Sequence, residues 1–239
     1  MLIEKLRRKI KNLSLFFNYS NNLQAKELIY FQSLINILPK KVDLYPFGGS
    51  ANSSLLYFLG RFCKEHKDIS ILELGMGQTT ILLDVFSYNH NTHVAYDDNE
   101  FWVNNIKDKI DNAKSNLKYR PLEDFNFDKV KTKFYEGLND EEKDEHFDLI
   151  IVDGPKGTKK FSRSGVIPLI VEKIAKQDDL VVIFDDTHRK PELDTFELLI
   201  KIIKSKGLWN DQCNIKFINA SKSQACLITG SKFQSSYYY

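Results

Sequence analysis

Cysteine is scarce in this chain: Cys63, Cys213 and Cys226 are the only three in 239 residues, far apart and at no metal-ligand or redox-pair spacing. A disulfide scaffold and a cysteine-bound zinc module are excluded, and reduced thiols in a cytoplasmic protein are expected. Long apolar runs are also missing. The opening segment, MLIEKLRRKIKNLSLFF, is charged by its fourth residue, so neither a signal peptide nor a membrane span is expected. Net charge is only +2, from 34 basic and 32 acidic residues, and gives no field that would demand nucleic acid or a membrane as partner. No internal repeat or low-complexity linker divides the sequence. With 42% hydrophobic and 28% charged residues it reads as globular, and its length suits one α/β domain with a modest appendage.

What is present is concentrated first in residues 69–80, ISILELGMGQTT. A short apolar strand (Ile69, Ile71, Leu72) delivers Glu73, Gly75 and Gly77 follow at a turn, and Thr79 and Thr80 open an amphipathic helix. Glycine lets the backbone take positive φ and lets a ligand lie against the main chain, beside the N–H groups of a helix start. Such a turn suits a nucleotide-like cofactor. The dinucleotide fingerprint asks for a third glycine three residues after the second, where this chain has Thr80, and the NAD(P) reading is weakened there. The order acid, any, Gly, any, Gly, any, small, carried by Glu73, Gly75, Gly77 and Thr79, resembles the turn of class I S-adenosylmethionine (SAM) methyltransferases. An acid two residues before the first glycine suits a cationic sulfonium and an amino group better than an anionic pyrophosphate. A plain strand-to-helix turn, with glycines for geometry alone, is the bland alternative.

The next strand, His93 to Tyr96, ends in Asp97, twenty residues beyond Gly77. A carboxylate there is placed to accept hydrogen bonds from both ribose hydroxyls of a nucleoside. Asp98, Asn99 and Glu100 read as the cap of a helix carrying Phe101, Val103 and Ile106. LKYR (117–120) reads as a third strand, and the resemblance implies adenine contacts at Glu123 and Asp124 after it. The charged run Lys129 to Glu145 reads as a solvated helix, or helix and loop.

The second concentration is FDLIIVDGPKGTKKFSRSGVIP, residues 147–168. Leu149 to Val152 have the unbroken apolar character of a central parallel strand, and Asp153, at its end, should face the crevice shared with Gly75 and Asp97. The stretch lacks the Asn/Asp-Pro-Pro-aromatic signature of enzymes that methylate base amines. DGPKG, with Arg163 and Pro168 downstream, instead resembles a branch of class I enzymes that includes bacterial and plant sugar and polysaccharide O-methyltransferases. Arg163 could orient an acidic substrate or bond a loop carbonyl.

A third strand-end signal is LVVIFDDTHR, residues 180–189, in which Leu180 to Phe184 lead into Asp185 and Asp186. Asp153, Asp185 and Asp186 then converge, and three carboxylates near one point repel unless a cation or proton sits among them, so a divalent metal (Mg or Mn) is an economical expectation. Catechol-type O-methyltransferases, which these positions also resemble, imply the same: Asp153, Asp185 and Asp186 stand at their metal-binding places, and Lys156 at that of their general-base lysine. Without a metal, His188 or Asp186 is the expected base, a surface histidine being the alternative for His188.

At the start, Leu2, Leu6, Ile10, Leu13 and Phe16 or Phe17 recur at helical spacing among Lys and Arg. This basic amphipathic helix could pack on its own domain, join two subunits into a homodimer, or lie on an anionic membrane. A second helix, Leu23 to Leu38, stops at Pro39. In YPFGGSANSS (45–54), the resemblance implies that Gly48, Gly49 and Ser50 close over the methionine end of the cofactor; a capping loop with Ser53 or Ser54 as cap is equally consistent. Leu193 to Lys204 reads as a helix, and Asn214 to Ile218 with Gln224 to Thr229 as a hairpin-like pair.

The expected fold is therefore α/β: a Rossmann-like, doubly wound, seven-stranded sheet with an antiparallel last strand, plus N-terminal helices. Residues 1–44 form a helical appendage, 45–230 the methyltransferase domain, and 231–239 a flexible tail or one that docks on a partner through its tyrosines. The expected activity is SAM-dependent O-methylation of a small molecule, sugar or glycan precursor. An NAD(P)-dependent oxidoreductase and a non-catalytic interaction protein on the same fold are the rivals.

Overall fold

A computed structural model describes residues 22–45, 50–111, 114–127 and 130–239. The basic helix expected near Leu2 to Phe16, and Gly48 and Gly49, lie outside the described residues. The first described helix, α1, spans 22–37 and ends just before Pro39, as its pattern predicts. There follow α2 (Ser53–Glu65), β1 (Ile69–Leu74), α3 (Gln78–Val85), β2 (His90–Asp97), α4 (Glu100–Lys107) and β3 (Ser115–Tyr119). After β4 (Leu122–Phe127), β5 (Val130–Tyr135) and α5 (Leu138–Glu142) come β6 (Leu149–Val152), α6 (Ile167–Lys176) and β7 (Leu180–Phe184). The remainder is α7 (Lys190–Ser205), β8 (Asn214–Asn219) and β9 (Ser223–Thr229).

Seven strands form one sheet in the order β3-β2-β1-β6-β7-β9-β8. The first five are parallel, and β9 runs antiparallel to both β7 and β8. β1, β6 and β7 are buried along their whole length, because helices cover both faces and each face needs apolar side chains. Their residues alternate between two cores. Ile71, Ile151 and Ile183 pack on one side with α2 and α3, while Leu72, Val152 and Phe184 pack on the other with α6 and α7. Strand order reverses at β1 and β6, so the carboxyl ends of these two strands border a crevice of the kind in which open α/β sheets bind ligands.

Three local readings are corrected. The run expected as a solvated helix or loop is in part a strand: β5 pairs antiparallel with β4 as a separate hairpin, and only 138–142 is helical. Its charges alternate with buried residues. Lys131 and Lys133 face outward while Thr132 and Phe134 face inward, a period of two masked by counting charge. The cap of α2 is Asn52, whose Oδ1 accepts the Leu55 N–H at 3.4 Å, rather than Ser53 or Ser54. The final segment packs onto its own domain. Phe233 is fully buried with its ring centroid 5.1 Å from that of Phe62, and the Tyr239 hydroxyl donates to Glu65 at 2.7 Å. No described helix is long and apolar enough to cross a membrane.

Candidate functional site

The glycine turn is shaped by contact between two strand ends. Gly75 has φ +92°, and a Cβ there would lie 2.7 Å from the Gly154 nitrogen. A Cβ on Gly154 would meet the Tyr135 hydroxyl at 2.5 Å and Gly75 at 2.8 Å. Only glycine at both positions lets β1 and the segment after β6 approach this closely. Gly77 differs: the space where its Cβ would point is empty to 4 Å, leaving the front of the turn open. Its N–H donates to Thr80 Oγ1 at 2.9 Å, so the residue at the dinucleotide motif's third glycine position is a side-chain partner of the turn.

Asp97, at the end of β2, holds the turn from the side. Its Oδ2 accepts the Met76 N–H at 3.0 Å and its Oδ1 the Asn99 N–H at 2.9 Å. Burial raises its pKa, opposed by these two backbone hydrogen bonds. Each oxygen keeps a lone pair for a further donor. The Met76 carbonyl is held as well, by the Trp102 indole N–H at 2.7 Å. Trp102 sits on the first turn of α4, where Asn99 Oδ1 caps its backbone N–H at 3.1 Å. Nothing in its sequence context singles it out beyond its being an aromatic three residues after a cap.

Glu73, expected to face the cofactor, is enclosed instead. Its carboxylate accepts the Thr79 hydroxyl, and His93 Nε2 lies 2.9 Å from its other oxygen. His93 Nδ1 lies 3.0 Å from Ser115 Oγ. Burying a carboxylate in β1 is tolerable only with such partners, and the result ties β1, β2, β3 and the start of α3 together beneath the turn. Glu123 accepts the Gly137 N–H at 3.0 Å, and Asp124 is exposed on the hairpin, so both serve β4 and β5.

The ladder carries the three acids to the crevice in steps. The Asp153 N–H donates to the Leu74 carbonyl at 2.8 Å, and the Asp185 N–H to the Val152 carbonyl at 3.1 Å. Asp153, Asp185 and Asp186 each bring a carboxylate oxygen to within 4.8 Å of the others, as their strand-end positions predict. Arg163, only 4% exposed, lies among them. Its Nη1 donates to the carbonyls of Val152 and Asp185 at 3.2 and 3.1 Å, and its Nη2 to the carboxylates of Asp153 and Asp186 at 3.3 and 3.2 Å. The Arg163 guanidinium is thus turned inward, to loop carbonyls and carboxylates, and the acidic-substrate role is not what these bonds serve. Arg189 pairs with Asp186 at 3.0 Å, Lys222 approaches it at 3.7 Å, and Asp185 Oδ1 accepts from Gln224 at 2.8 Å. Burial and the Asp185 charge push the Asp153 carboxyl well above the usual carboxylate range, against the pull of Arg163.

This donor set does not fit a divalent metal. Two of the three carboxylates already share a guanidinium and the third is hydrogen-bonded to an amide; an ion needs oxygens at about 2.1 Å and would have to sit against that guanidinium. His188 and Lys156 are exposed and are not drawn in; the acids pair with Arg163, Arg189 and Lys222 instead.

The glycine turn, Trp102 and Asp153 border a cavity of about 320 Å³, lined by Ser50, Met76, Gly77, Thr79, Trp102 and Asp153 among others; Asp97 is joined to that lining through the Met76 N–H. Of the three acids, Asp153 alone reaches it. Ser50 belongs to the segment expected to close over the cofactor; its hydroxyl donates to the Tyr45 carbonyl at 2.8 Å, and Gln78, also at the cavity, accepts the Tyr45 N–H at 2.7 Å.

No family model matches this chain, and no curated protein matches it. Among solved structures it is similar to the SAH-bound methyltransferase PaMTH1 of Podospora anserina, 10% identical over 86% of this chain and 88% of that one, with a TM-score of 0.50. It is also similar to the N-methyltransferase NodS of Bradyrhizobium japonicum WM9 in complex with SAH, 12% identical over 84% and 99% of the two chains, with a TM-score of 0.48. At such identity the likeness is one of fold: the chain has the Rossmann-like architecture of methyltransferases, with the expected seven strands and antiparallel last strand.

Proposed function

We propose that this chain is a SAM-dependent methyltransferase acting on a hydroxyl of a small molecule, sugar or glycan precursor. The observation that carries the reading is a cavity at which a glycine turn, held by Asp97 and Trp102, meets Asp153 at the ends of β1 and β6. A bound SAM supplies a methyl group made electrophilic by a sulfonium. Asp97, with its spare lone pairs, accepts the ribose hydroxyls. Gly77 leaves room for the cofactor against the main chain, and Gly75 sets the turn's path. Thr79 is fixed by Glu73, so Glu73 serves the cofactor through the turn rather than by contact.

Asp153 is the residue for the acceptor. A hydroxyl oxygen attacks well only as it loses its proton, and a carboxylate with a raised pKa is a better base than an ordinary one. The remaining acceleration is orientation: the walls of the cavity align oxygen and methyl in line. The choice of a sugar or glycan precursor follows the likeness of DGPKG and Arg163 to sugar O-methyltransferases. The test is transfer of a labelled methyl from SAM to panels of hydroxyl, amine and carboxyl acceptors. Transfer to a hydroxyl, with kcat lowered roughly 10²- to 10⁴-fold by Asp153→Asn, is expected. Transfer only to amines, or full activity in Asp153→Asn, would overturn the assignment.

A further inference from the structure

The geometry points to Arg163 as the built-in cation of the three-acid cluster: its guanidinium does there what a divalent metal would do, and the cluster binds no metal ion. Arginine is rarely buried, and here its four hydrogen bonds reach the ends of both β6 and β7 and two separate carboxylates. Both partners hold left-handed backbone conformations, φ +66° at Arg163 and +61° at Asp186, which residues other than glycine seldom adopt. The chain accepts that cost on both sides of one ion pair, so the pair is specified by the backbone and not a chance surface contact.

Most of the charge is also compensated within the cluster. Arg163, Arg189 and Lys222 all pair with Asp186, Arg163 also with Asp153 and Arg189 also with Glu192 at 3.9 Å, so a second cation would meet three positive groups already seated at Asp186. Asp185 is further engaged by Gln224, which is itself tied to Asn52 and Ser54 of the α2 start at 3.0 and 3.1 Å. Arg163 is therefore a positioning residue: it fixes the direction in which Asp153 enters the cavity. The ion-binding claim stands apart from the methyl-transfer proposal; only its consequence for catalysis, activity indifferent to chelators, rests on that reading.

The experiment is Mn²⁺ binding, followed by the loss of the free-ion paramagnetic resonance signal and by thermal midpoint, in the full chain. Wild type is expected to bind no Mn²⁺ up to about 1 mM, with an unmoved midpoint. Arg163→Ala leaves the carboxylates without their guanidinium and is expected to gain one Mn²⁺ site, its midpoint rising by roughly 5–10 °C at a hundredfold excess over Kd. Asp186→Asn in the Arg163→Ala background is expected to remove that gain. Stoichiometric binding by wild type, lost on Asp185→Asn, would overturn the inference, and so would a folded Arg163→Ala that gains no site. Should Arg163→Ala not fold, the wild-type titration decides the matter. A methyl-transfer assay that fails while these ion results hold would count against the catalytic proposal and leave the ion inference standing.

Discussion

His90 opens β2 in full burial, and neither of its ring nitrogens meets a hydrogen-bond partner among the described residues. Burial, with smaller contributions from His93 and Lys114, pushes its pKa down to about 3 from the ordinary 6.5. Between those values the unfolded chain carries a proton that the folded chain does not. Stability is therefore full above pH 6.5 and falls as pH drops towards 3, by up to about 5 kcal/mol from this residue. Denaturant titrations at pH 7, 5 and 4 should show that slope, and His90→Leu should flatten it; an unchanged slope in the variant would contradict the account. At this scale the sequence was most legible where one residue type alone can do the job. Gly75 was readable because the motif demands a glycine, and the strand ends at Asp97 and Asp153 were readable because an acid follows an apolar stretch there. Glu73 was misread because spacing locates a carboxylate without saying which way it turns. Arg163 was left between two roles, since its partners lie 10 to 23 positions away in sequence and meet only in the fold.

The elements around the cavity divide by how local their cause is. Strand, turn and helix at 69–85 could be read directly, since apolar run, glycines and amphipathic pattern are contiguous. The β4–β5 hairpin could not. Its inward face is completed by Phe134 packing where Gly165 has no side chain, and a Cβ at Gly165 would lie 2.3 Å from the ring. That contact is made far along the chain. The α4 element carries a prediction of its own. The chain has two tryptophans, and Trp102 borders the cavity while Trp209 lies beyond α7 beside Lys204. S-adenosylhomocysteine (SAH) should quench tryptophan fluorescence in wild type and in Trp209→Phe, and should not in Trp102→Phe. Trp102→Ala should weaken SAH binding about three- to tenfold, the worth of one aromatic contact. Quenching that survives in Trp102→Phe would remove Trp102 from the site.

Across the whole molecule, the parallel centre of the sheet was legible because β1, β6 and β7 are apolar runs closed by a glycine or an acid, and the α/β alternation then leaves few topologies. The last nine residues were not, because polar and tyrosine-rich segments read as solvated until a surface to receive them is known. Phe233 fills a gap beside Phe62 and His66 in the core under α2. Phe233→Ala should cost about 3–5 kcal/mol, and thermal denaturation should show a midpoint lower by about 10 °C. A change within 2 °C or so would mean that the segment does not hold the core. The central claim, that the glycine turn and Asp97 form a SAM site, is tested most directly by calorimetric titration with SAH on wild type and Asp97→Asn, with NADH as the competing ligand class. The account predicts one SAH per chain, at least about tenfold weaker in Asp97→Asn, and no heat from NADH. Binding of NADH but not SAH, or equal SAH affinity in the two proteins, would contradict it.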